Sequence, residues 1–327
     1  MEFFWNKVLT IYPNSQGGFM KETYQELKYV VDNSMYVKIN YNKIVEFAQE
    51  LKTPSYKHWF ADINIKVTEN QKILLAFIIE SLNFCFWPKP KYKIIYHNEE
   101  VKGSEALFLR IIKAVEINKK FLNINYLHNM TLKEFNNIFT GISLVSTRYK
   151  LFKDTIDVIY KKQDKFYNEL FSIKKDYELL NYIITNFKYF DDSATYKGKT
   201  IHFNKRATLL VNDLFYMSKT INNNIKNVNN MFGCADYGIP RTLKNYDILE
   251  YNKELETKIN NEIELKAGST MEIEIRANML YALEEIKKEL LKRNININSI
   301  QLDNIIWQMG RLKQNICPYH HTQTIFY

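Results

Sequence analysis

The chain has 327 residues, 46% of them apolar, with only nine glycines and six prolines. It is too apolar for a disordered segment, too poor in turn-formers for a sandwich or barrel, and long enough for one large core or two intimate ones. The formal charge of +9 points to an anionic partner, but only seven of the 45 basic residues are arginine, and no basic run forms a patch or tail, which fits solvated lysine-rich faces better than a nucleic-acid grip.

In chain order, "MEFFWNKVLTIYPNS" lacks the charged-then-apolar layout of a secretory signal. "VKINYNKIVEFAQEL", 37–51, places Val45, Ala48 and Leu51 at helical spacing after a polar entry. "VTENQKILLAFIIESLNFCFWP", 67–88, predicts a helix with Thr68 and Gln71 at capping-box spacing and Pro88 as its end. Its apolar run, 73–79, is far short of the roughly 20 residues that span a bilayer. Residues 89–101 read as an extended stretch or small hairpin, 105–117 as a helix, and 130–190 as helices joined by short turns. A loop with a short strand pair is expected over 194–203, and helices over 204–221, 268–293 and 299–312. On the first of these, Lys205 and Asn212 fall on one side and Leu210, Leu214 and Met217 on another. The closing "PYHHTQTIFY" is too apolar to float free. No repeat or linker divides the chain, so the expectation is one mainly α domain over 1–327 with minor β. Cys85, Cys234 and Cys317 lie too far apart for a zinc ribbon and fit a reducing compartment. No metal is expected, since the histidines lack ligand spacing, and the protein is expected to be soluble and cytoplasmic.

Four places carry chemistry that residues alone leave open. In "MFGCADYGIPRTL", 231–243, Asp236 stands in a break made by Gly238 and Pro240. It either caps a turn or is a catalytic carboxylate presented on a loop, the group that steadies an oxocarbenium-like sugar and activates water. Lys205, at a helix start, is either a snorkelling surface lysine or a cation that keeps a carboxylate ionised. Asp303, one helical turn from Trp307, is either favoured by the helix dipole or an acceptor for a flat heterocycle. Asn83-Phe84-Cys85-Phe86-Trp87 is a core plug or a stacking platform. No P-loop, GxGxxG or GxSxG motif is present.

Taken in order, "SLNFCFWP", "FNKRATLLVNDLF", "MFGCADYGIPRTL", "EIEIRA", "LDNIIW" and "PYHHTQTIFY" resemble the hallmarks of the queuosine salvage proteins, from about residue 30 to the last. The strongest pieces are Lys205-Arg206-Ala207, Ala235-Asp236-Tyr237 with Pro240, and the closing Tyr327. The resemblance implies an all-helical scaffold similar to that of helix-hairpin-helix DNA glycosylases. It also implies cleavage of the N-glycosidic bond of queuosine 5'-monophosphate to queuine, a 7-deazaguanine, and ribose 5-phosphate, with no cofactor. It carries over Asp236 as the catalytic carboxylate and Lys205 as its cationic neighbour. Asn83, Phe86 and Trp87 become the pocket wall, Asp303 an acceptor for the base or its side arm, and Tyr237 and Tyr327 further substrate contacts. Arg148 and His320 are the expected phosphate contacts. A deazaguanine leaves poorly because position 7 is carbon, so electrostatic stabilisation of the sugar cation must do more.

The chain departs from the family pattern at Ser104 and Glu105, where Tyr-Trp is usual, and at His321 and Gln323, where arginines are usual. These departures bear on the phosphate contacts and open activity on the nucleoside. The partner expected is a small-molecule nucleotide, with neither a stable nucleic-acid complex nor a membrane. Rival readings are a DNA or RNA base glycosylase, which needs a basic face and a residue to replace a flipped base, and a non-catalytic ligand-binding helical adaptor.

Overall fold

The computed structural model describes residues 19–52, 56–313 and 317–327; the opening stretch, on which the reading of no secretory signal rests, lies outside them. Among the described residues the chain is mainly α, with fifteen α-helices and three two-stranded antiparallel sheets. In chain order these are α1 (Phe19–Asn33), β1 (Val37–Ile39), α2 (Tyr41–Glu50), α3 (Glu69–Leu82), β2 (Lys93–Tyr96), β3 (Glu99–Lys102) and α4 (Gly103–Ile117). There follow α5 (Ile124–Asn129), α6 (Leu132–Ile138), α7 (Val145–Lys162), α8 (Asp164–Ser172), α9 (Asp176–Asn186), β4 (Ser193–Tyr196) and β5 (Lys199–His202). The rest are α10 (Lys205–Met217), α11 (Lys219–Ile225), α12 (Gly238–Asn245), β6 (Leu249–Tyr251), α13 (Lys253–Asn260), α14 (Thr270–Lys292) and α15 (Ser299–Leu312). No helix among the described residues is long and apolar enough to cross a membrane.

The residues fall into two compact units. Among the described residues, one gathers those up to Tyr56, Asp192–Thr208 and those within Val228–Gln323; the other gathers Lys57–Asp191, Leu209–Asn227 and Thr324–Tyr327. Each draws on separate stretches of chain, which is why no linker shows in the sequence.

In the first unit α14 is buried on every side over 271–284, and α1, α2, α12 and α15 pack around it. A helix so enclosed must pair its polar groups. Glu274 accepts backbone N–H groups of Met35 (3.0 Å) and Tyr36 (2.7 Å) and the Tyr196 hydroxyl (2.8 Å), and Lys287 meets Glu284 at 2.8 Å. Strand β1 pairs with β6 in the register Val37↔Tyr251 and Ile39↔Leu249. On α2 the buried face is Ile44, Phe47 and Ala48, while Val45 is exposed. Strand β1 takes 37–39, and the helix starts after its cap, Asn40, whose side chain accepts the Lys43 N–H.

In the second unit the Thr68 capping box is present and starts α3, whose residues from Ile73 onward are buried. The helix ends at Leu82, well before Pro88, and Asn83–Trp87 continue in irregular backbone with Cys85 left-handed at φ 50°. The expected hairpins are present, β2 with β3 and β4 with β5.

Candidate active site

In the first unit, residues 231–237 run outside a helix until α12 begins at Gly238. Pro240 lies in the first turn of α12, where a missing N–H costs nothing, so what reads in the sequence as a break is a helix start. Asp236 Oδ1 accepts the N–H groups of Gly238 (2.8 Å) and Ile239 (3.0 Å). From the position before the N-cap residue Tyr237, one carboxylate oxygen thus ties down the first turn. Gly238 is needed for this approach: a Cβ there would stand 3.1 Å from the Trp307 ring and 3.5 Å from both Asp236 carboxylate oxygens.

Asp303, on α15, is buried and its Oδ2 accepts the Cys234 N–H at 2.8 Å. The carbonyl of the same Cys234 accepts the Asp236 N–H at 2.8 Å. Gly233 lets the two segments close, since a Cβ there would meet Leu283 at 2.6 Å and Asp303 Oδ2 at 3.1 Å.

The two carboxyls are electrostatically linked. Burial raises Asp236 above the ordinary carboxylate range; the Lys205 ammonium opposes this most strongly, followed by the Ile239 and Gly238 N–H groups and Arg276. Burial raises Asp303 well above that range and the charge of Asp236 adds to it, with only the Cys234 N–H and Lys205 opposing. Asp236 thus has the larger set of groups favouring its charge, and Asp303 is the one pushed further toward its protonated form. Two carboxyls whose surroundings drive them apart can divide acid and base work.

Lys205 begins α10 and is itself buried. Its helix is launched by Asn204, left-handed at φ 50°, whose side chain accepts the Asp192 N–H at 3.2 Å. The Asp192 carbonyl accepts the N–H groups of Phe203 and Asn204 at 2.9 and 3.3 Å. Arg276 joins this assembly from α14, and sequence reasoning assigned it no role although "EIEIRA" was noted. Its guanidinium donates to both Asp192 carboxylate oxygens at 3.1 and 2.5 Å and to the Ala235 carbonyl at 3.0 Å. A sequence signal existed: a buried helix with a lone arginine must give that arginine a partner.

Tyr237 is half-buried and meets Tyr319 edge-on at 5.0 Å between ring centroids. His320 is buried, and burial together with the Arg276 and His321 charges pushes its imidazolium down to about 3. At physiological pH the ring is neutral, so any phosphate contact it makes is a hydrogen bond and not an ion pair.

In the second unit the structure brings together Asn83, Phe86, Trp87, Arg148 and Tyr327. Arg148 is fully buried. It donates to the carbonyls of Leu82, Phe84 and Cys85 and to that of Ser143 at 2.9 Å. Its guanidinium carbon lies 4.3 Å from the Phe84 ring centroid and 4.8 Å from that of Phe86. These donors shape the aromatic segment by holding its backbone carbonyls. Asn83 donates to both Glu80 carboxylate oxygens at 3.1 Å, and the Tyr327 carbonyl accepts the Cys85 N–H at 2.7 Å. Trp87 packs, partly exposed, against Phe84, Cys85 and Leu151.

Fold and site together define a mainly helical protein with a pair of buried, electrostatically linked carboxyls set beside a buried lysine, which is equipment suited to hydrolysis. Residues 63–327 match the family of queuosine salvage proteins, and the chain belongs to that family. It is 29% identical over 315 residues to the queuosine 5'-phosphate N-glycosylase/hydrolase of Sphaerobacter thermophilus, covering 91% of this chain and 95% of that protein. The protein of the same description from Dictyostelium discoideum is 28% identical over 315 residues, with 90% and 95% covered. That of Mus musculus is 25% identical over 331 residues, with 93% and 98% covered.

Proposed function

We propose that this chain hydrolyses the N-glycosidic bond of queuosine 5'-phosphate, releasing queuine and ribose 5-phosphate. Family membership and the curated relatives support the reaction. The observation that carries the assignment of roles is the Cys234 peptide, which holds Asp303 by its N–H and Asp236 by its carbonyl.

The bond between C1' and the base nitrogen breaks with its electron pair leaving on the base, and Asp303 gives the base its proton. Asp236, ionised, faces the developing ribosyl cation and takes a proton from the water whose oxygen bonds to C1'. The pair then again holds one proton, and transfer between the two carboxyls restores the starting state. Lys205 keeps Asp236 charged through this cycle. Asp303 is therefore a donor as well as the acceptor expected from the sequence.

The test is incubation with queuosine 5'-phosphate, following free queuine by chromatography, with Asp236→Asn alongside. Wild-type release and a fall of about 10²–10³-fold or more in the variant are expected. Absence of release by the wild type from both nucleotide and nucleoside overturns the reading.

A further inference from the structure

We propose that Arg276 is the positioning residue of this site, one guanidinium setting the two chain segments that bear Asp236 and Lys205; the inference rests on the roles given to those two residues above. Nε holds the Ala235 carbonyl at 3.0 Å, one peptide before Asp236. The two terminal nitrogens hold the Asp192 carboxylate at 3.1 and 2.5 Å. Asp192 in turn reaches the Lys205 segment three times: Oδ2 accepts the Lys205 N–H at 3.4 Å, and its carbonyl accepts those of Phe203 and Asn204. The Phe203 ring lies under the guanidinium at 4.0 Å and Glu272 flanks it at 3.4 Å. Both Arg276 and Asp192 are buried.

The chemistry requires this kind of link. Asp236 and Lys205 are 31 positions apart in the chain and sit on different elements, so no local geometry relates them. Their separation decides whether the carboxylate is charged and where it points. A buried ion pair is weak evidence of stability, since packed apolar groups would serve as well. What an apolar pair cannot do is join a carbonyl on one segment to a carboxylate on another at fixed angles, which a planar, five-donor fork does. Lysine at 276 keeps the charge but reaches one partner at a time, so it removes the link while preserving the electrostatics.

The experiment compares wild type, Arg276→Lys, Asp192→Asn and the double variant by steady-state release of queuine and by amide hydrogen exchange of the full chain. Each single variant should lower kcat by roughly 10- to 100-fold, the range for a small misplacement of reacting groups, while KM stays within about threefold. The double variant should be no worse than the poorer single one, because both break one link. Exchange should quicken in peptides covering 203–208 and 234–240 and stay unchanged in α1. Wild-type kcat with unchanged exchange in folded Arg276→Lys overturns the proposal, as do losses that add in the double variant. If Arg276→Lys fails to fold, Asp192→Asn is read by the same criteria. If the wild type itself releases no queuine, the proposed function falls, while the exchange comparison still decides the link.

Discussion

The backbone of Cys234 links the two acidic residues: its N–H donates to the Asp303 carboxylate and its carbonyl accepts the backbone N–H of Asp236. His320 is the residue whose ionisation stability should report. Its folded-state value is about 3, below the ordinary histidine value of 6.5. The folded state therefore favours the neutral ring; the contribution is complete above about pH 6.5 and is lost as pH falls toward about 3. Over that window it is worth on the order of 4 kcal/mol. His320→Gln cannot titrate, so the stability difference between wild type and variant should shrink steadily on acidification. Denaturant melts at pH 7, 5 and 4 measure this, and a difference independent of pH would contradict it.

At the scale of elements, α12 and α15 approach through Gly310. A Cβ at that position would lie 2.1 Å from the Thr242 hydroxyl oxygen. Thr242 cannot simply turn aside, because it is buried and its hydroxyl donates to the Gly238 carbonyl at 3.1 Å. Gly310→Ala should therefore cost about 1–3 kcal/mol of stability, the usual penalty of overpacking, read as a lowered denaturant midpoint. Thr242→Ala in the same chain should recover part of that loss, since the two positions share one contact. Helix identity was largely legible: the Thr68 capping box, the helix starts at Lys205 and Ser269 and the α15 span agree with the spacing in the sequence. The end of α3 was not. Pro88 is a visible stop, but the helix yields earlier, where Arg148, far along the chain, takes the carbonyls of Leu82, Phe84 and Cys85.

For the whole molecule, the charge of +9 invites a nucleic-acid reading. Several of its few arginines are engaged internally: Arg148 on carbonyls, Arg276 on Asp192 and Ala235, and Arg241 on the Gly310 carbonyl and over the Tyr319 ring. What remains is dispersed lysine, which binds phosphate backbones only by charge. Any association with duplex DNA should thus be non-specific and lost by about 200 mM salt. Fluorescence anisotropy across a salt series checks this, and salt-resistant binding would favour the base-glycosylase alternative.

Composition and periodicity alone determined that the chain is mainly helical, and the ordered motifs carried the family and the identities of Asp236, Lys205 and Asp303. These are local properties: spacing, caps and breakers act within a few residues, and motifs persist as strings. Only the tertiary structure decided that Asp236 ties down the first turn of α12, that Asp303 is pushed further toward its protonated form than Asp236, that burial disfavours charge on His320, and that Arg148 and Arg276 act on backbone carbonyls. Burial and long-range pairing set those outcomes, because a proton's free energy and an arginine's partners depend on what the fold brings near, and the order of residues does not specify either.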